Sequence, residues 1–143
     1  MLLRPFALGT FAVSALLPFA TPAGAQTAAD FQDARVEVSP GCGGTVRTEV
    51  AVAPLPNNAN GVAAAVMFRA DRQDPACSAH ATLTWRNLDT GASGSQDVSV
   101  SSIPNPGGPY PTDHGYQRAL ADTGPGTVVV TMTTNPGEIS VTV

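Results

Sequence analysis

The chain has 143 residues, 11 acidic side chains against seven basic ones and no lysine, and a net charge of −4. That size supports one domain with its own hydrophobic core, without need of metal. The acidic balance and the single spacing of Arg35, Arg47, Arg69, Arg72, Arg86 and Arg118 argue against nucleic acid and against an anionic membrane surface as partners.

The first 25 residues follow the order of a secretory signal: Arg4, an uncharged apolar stretch from 6 to 20, the helix breaker Pro22, and the small residues Ala23, Gly24 and Ala25. Cleavage before Gln26 is expected. Removing 25 of the 143 residues leaves 118, with six arginines against 11 acids and five net negative charges. The apolar stretch is short for a membrane span, so no stable membrane insertion is expected after cleavage. The expected location is secreted, whether extracellular, in the cell envelope or in the periplasm. Abundant Ala, Gly, Pro, Thr and Val suggest a bacterial source.

Residues 26–34 are polar and Ala-rich, with Phe31 the only large apolar side chain, and read as a flexible tail or a single helical turn. Period-two patterns follow, separated by turn residues, as β-strands demand. Val36 and Val38 mark a short strand ending at Ser39-Pro40-Gly41. Val46, Thr48, Val50 and Val52 mark another, ending at Pro54. Residues 61–70 contain a continuous apolar run with three consecutive alanines; a buried strand is expected, although periodicity alone does not separate it from a helix.

From Cys77 to Trp85 the alternation is the clearest in the chain, placing Cys77, Ala79, Ala81, Leu83 and Trp85 on one face and Ser78, His80, Thr82 and Thr84 on the other. Val98 and Val100 mark a further strand, as do Tyr116, Arg118 and Leu120, then Val128, Val130 and Met132, and finally Ile139, Val141 and Val143. Asp89-Thr90-Gly91, Asn105-Pro106-Gly107, Gly124-Pro125-Gly126 and Asn135-Pro136-Gly137 supply turn chemistry, the last as a hairpin between the final two strands. The fold class is all-β, and seven to eight short strands over residues 35–143 resemble an immunoglobulin-like β-sandwich in architecture. Cys42 precedes its strand in a Gly-rich turn, which departs from the antibody pattern, and no particular immunoglobulin family is implied.

In an exported chain the even cysteine count predicts a Cys42–Cys77 disulfide. Neither cysteine has the close second ligand that zinc or dithiol chemistry requires. His80 reads as a polar strand residue. His114 sits in a loop beside Asp113, but neighbouring residues on an extended backbone point apart. Asp71 and Asp74 flank a loop, where sharing a calcium ion or dividing acid and base roles is weighed against two solvated charges. No serine lies in a Gly-x-Ser-x-Gly elbow, and the phosphate-cradling loop that ends in lysine is excluded. No metal, cofactor or catalytic residue is therefore expected.

Residues 103–115 hold four prolines, three glycines and Tyr110, and read either as a crossing connector or as a recognition loop presenting Tyr110, Pro109, Pro111 and His114 to a protein or small ligand. The function these residues favour is that of a secreted, non-enzymatic β-sandwich module acting in binding or as an envelope-associated structural domain. The alternatives are a small extracellular hydrolase or metal-binding protein using His114, Asp113 and His80, and a proteinase inhibitor presenting the 103–115 loop.

Overall fold

The computed structural model describes residues 26–104 and 114–143. The proposed signal segment, Asp113 and the loop contacts Pro109, Tyr110 and Pro111 lie outside the described residues. Nine strands and no helix are present among those described: β1 (Ala28–Asp30), β2 (Ala34–Ser39), β3 (Cys42–Pro54), β4 (Asn60–Ala70), β5 (Ser78–Asn87), β6 (Ser93–Ser101), β7 (Gly115–Ala121), β8 (Thr127–Met132) and β9 (Glu138–Thr142).

They form two antiparallel sheets. One runs β1-β3-β4-β7 with β2 beside β1 on the same edge of β3, and the other runs β6-β5-β8-β9. At 13 residues β3 is long enough for two short partners, pairing with β2 through Val46 and with β1 through Glu49 to Ala51. The order differs from that of an immunoglobulin chain, which passes from its second strand to the facing sheet. Here β3 turns straight back as β4 in the same sheet, with Val52 opposite Val62 and Val46 opposite Phe68.

Alternation decides which side chains enter the core. Val46 and Val50 of β3, Val62, Ala64, Val66 and Phe68 of β4, Leu83 of β5, Val100 of β6, and Val128 and Val130 of β8 are buried in one cluster between the sheets. Each large member stabilises the fold by roughly 1.5–3 kcal/mol on leaving water. The apolar run at 62–68 is a strand because β4 is central: β3 and β7 pair with it on both sides. Its alanines at 63 and 65 stand opposite Ala51 and Glu49 of β3 and opposite Leu120 and Arg118 of β7.

Residues 26–34, expected as a flexible tail, instead carry β1 and bury Phe31 to 5% exposure. The Phe31 amide donates to the Thr48 carbonyl at 2.9 Å, and the Thr142 amide donates to Gln26 at 2.9 Å, so this segment is held by both sheets. Hydrogen bonds to β3 and burial of one aromatic ring outweigh the weak strand signal of its composition.

The Cys42–Cys77 disulfide is formed, with the two Cα atoms 5.4 Å apart. It joins the start of β3 in one sheet to the residue before β5 in the other. At the far end, Asn87 is fully buried and its side chain closes two loops together. Its amide nitrogen donates to the carbonyls of Thr123 and Pro125, both at 2.9 Å, and its amide oxygen accepts from the Asp89 and Thr90 amides. No helix among the described residues is long and apolar enough to cross a membrane.

Candidate functional site

The outer face of the five-stranded sheet is set by the core. Because Val46, Thr48 and Val50 point inward, Thr45, Arg47 and Glu49 point outward, and the register carries the same parity to Arg35 on β2, to Met67 and Arg69 on β4 and to Tyr116 and Arg118 on β7. Four of the six arginines that follow the proposed cleavage site therefore share one face, although they are singly spaced along the chain.

A cavity of about 290 Å³ opens on this face, lined by Asp33, Thr45, Arg47, Met67, Arg69 and His114. Thr45 stands opposite Arg69, and Arg47 opposite Met67, so four of the six residues are two adjacent cross-strand pairs of β3 and β4. Asp33 enters from the corner between β1 and β2, and His114 from the residue before β7. The position of His114 is fixed by its neighbour. A Cβ on Gly115 would lie 1.6 Å from the Ser101 carbonyl oxygen, so only glycine lets β7 start this close to the end of β6.

Two ion pairs between described residues, Arg47–Asp30 and Arg35–Asp71, flank the cavity. Arg47 reaches Asp30 through one terminal nitrogen at 3.1 Å, both side chains being about half exposed. Arg35 engages Asp71 with both terminal nitrogens, at 3.2 and 2.5 Å. The Arg35 hydrogen bond, reinforced by its charge, holds the Asp71 carboxyl below its ordinary value, and the same contact raises Arg35. A carboxyl lowered in the folded state adds stability at pH values above its unfolded value, near ~3.9, and loses that contribution as pH falls through the lower folded value. Arg35→Gln is expected to return Asp71 to the ordinary aspartate range, read from its carboxyl carbon in an NMR titration. An unchanged midpoint would contradict the assignment.

Of the candidate site residues that lie among the described residues, His80, His114, Asp71 and Asp74, only His114 enters the cavity. His80 is exposed on the outer face of the four-stranded sheet, opposite Ser99, and so belongs to a different sheet from the strand that His114 precedes. Asp71 and Asp74 do not form a carboxylate pair: Asp71 is engaged by Arg35, while Asp74 accepts from the Ala76 amide at 2.9 Å within its own turn. Among the described residues no group of three or more His, Cys, Asp or Glu is placed to hold a metal ion.

Sequence reasoning missed Asp33, Thr45, Arg47, Met67 and Arg69 as neighbours. The parity of Val46, Thr48 and Val50 already put Thr45 and Arg47 outward, but nothing in the chain announces that Arg69 comes beside them. No protein-family model, curated protein or solved structure matches the chain, so what the cavity does rests on its own residues.

Proposed function

We propose that the protein is an exported, non-enzymatic binding module, with the two sheets as a rigid frame and the outer face of the five-stranded sheet as its working surface. The cavity carries this reading: it gathers charged, polar and apolar side chains around one recess, most of them on paired strands that hold their geometry. Export is supported by the signal-like order of residues 1–25 and by the disulfide, since disulfides persist in oxidising compartments. The hydrolase reading is less favoured because His80 and His114 are carried by different sheets and are not assembled into one centre. Recognition by the 103–115 loop, through Tyr110 or as a proteinase inhibitor, is secondary because residues 105–113 lie outside the described residues, whereas the cavity is built mainly from described strands.

A thermal-shift survey of the mature protein against small anions, cations, amines and neutral sugars tests the reading. A ligand present at 100 times its dissociation constant stabilises the folded state by about 2.7 kcal/mol. At least one class is expected to raise the melting temperature, and Arg69→Gln to remove that rise. No stabilising class, or turnover of ester and phosphoester reporter substrates, would overturn it.

A further inference from the structure

We propose that the cavity on the five-stranded sheet is a receptor for a compact oxyanion, a carboxylate or phosphate group, gripped by Arg47 and Arg69. This deepens the binding reading and rests on it. The first support is the donor set: two guanidiniums, the Thr45 hydroxyl and the His114 ring line one recess, and the planar fork of arginine matches the paired oxygens of carboxylate and phosphate. The second is placement. Arg47 faces Met67, and Arg69 lies two residues along β4, so the two arginines are diagonal neighbours, ~7–8 Å apart at their bases and within joint reach of one small group.

The Arg35–Asp71 and Arg47–Asp30 pairs differ in what they leave over. Arg35, which does not line the cavity, is fork-on to Asp71 with both terminal nitrogens. Arg47 meets Asp30 through one, and a guanidinium has five N–H donors, so Arg47 retains donors for a ligand. That exposed pair contributes little by itself, and an incoming anion can share or replace it. Asp33 in the lining and Asp30 on Arg47 balance the two guanidiniums, so an anion is selected here by the arginine fork geometry and not by a net positive charge.

The anion is compact and not a polymer. Asp30, Glu37 and Glu49 are carried by the strands flanking the same recess and would repel a chain of phosphates laid across it. Met67 adds an apolar wall, which an organic acid can contact and inorganic phosphate cannot.

The test follows backbone amides of the mature protein by NMR while succinate, inorganic phosphate or sodium chloride is added at matched ionic strength. Saturable shifts at Thr45, Arg47, Met67 and Arg69 are expected with succinate or phosphate and not with chloride. Succinate alone identifies a carboxylate receptor, phosphate alone a phosphate receptor, and both a site for the shared chemistry. Arg47→Gln and Arg69→Gln are each expected to weaken binding at least about tenfold, a loss of roughly 1.4 kcal/mol. Arg118→Gln, on the same face but outside the recess, is expected to leave affinity unchanged. Shifts reproduced by chloride, no saturation with either anion, or equal losses from Arg118→Gln and Arg69→Gln would overturn the inference. A neutral sugar or an amine saturating the same amides would overturn it while leaving the binding reading standing.

Discussion

Asn135→Ala is expected to destabilise the fold by about 3 kcal/mol, more than its place in a surface hairpin suggests. Asn135 is 2% exposed, turned inward from the loop between β8 and β9. Its amide nitrogen donates to the Gln32 carbonyl at 2.9 Å and to the Val46 carbonyl at 3.0 Å. Its oxygen accepts from the hydroxyls of Thr48, which is fully buried, and of Thr134. One side chain therefore links the β8–β9 loop to the segment after β1 and to the middle of β3. Truncation leaves a buried hydroxyl and two carbonyls short of partners, each at a cost of roughly 1–3 kcal/mol less whatever water recovers.

Asn135→Asp separates hydrogen bonding from volume. It keeps the acceptor for Thr48 but turns a carboxylate toward the Gln32 and Val46 carbonyls. Burial and facing acceptors raise the folded-state pKa of such a carboxyl, so the variant is expected to lose stability as pH rises above the ordinary aspartate value and to recover part of it on acidification. Urea denaturation at several pH values reads both effects. A loss under about 0.5 kcal/mol for Asn135→Ala, or a pH-independent Asn135→Asp, would show that the network does not hold the sheets.

The sequence reveals what is local and hides what depends on strand order. Alternation such as Cys77 to Trp85 makes β2, β3, β5, β6, β8 and β9 legible, whereas β4 is a continuous apolar run without a period. The Tyr116, Arg118 and Leu120 that mark β7 in the sequence lie on its outer face, while Ala119 and Ala121 enter the core. β1 is not legible, because three residues, Ala28–Asp30, are too few to alternate, and what makes them a strand is the unused half of β3. The inward turn of Asn135 is hidden for the same reason. Asn-Pro-Gly reads correctly as a turn, while the partners that pull its side chain inward, Gln32 and Val46, lie 103 and 89 residues away. The candidate site follows suit. Six singly spaced arginines look scattered in one dimension, and only the β3–β4 register shows that Arg47 and Arg69 are diagonal neighbours.

Removing the disulfide with Cys42→Ala and Cys77→Ala together is expected to cost about 3–4 kcal/mol, the chain-entropy value for cross-linking residues that far apart. The separation is 35 residues, and the bridge spans the crossing where the chain leaves the five-stranded sheet after β4 and enters the other as β5. Native geometry does not depend on the bridge alone. The Cys77 amide donates to Asp74 at 2.9 Å and its carbonyl accepts from Ser102 at 2.8 Å, so the loop retains its backbone contacts. The double variant should therefore stay folded at 25 °C, with its melting temperature lowered by roughly 10–20 °C for a chain of this size. Because the bridge acts largely on the unfolded chain, the urea m-value should rise as that chain expands, while the unfolding rate changes little. A full loss of stability carried by faster unfolding, with m unchanged, would assign the bridge to native-state contacts between the sheets instead. A loss below about 1 kcal/mol would show that the β4–β5 crossing is held by its hydrogen bonds and the surrounding core.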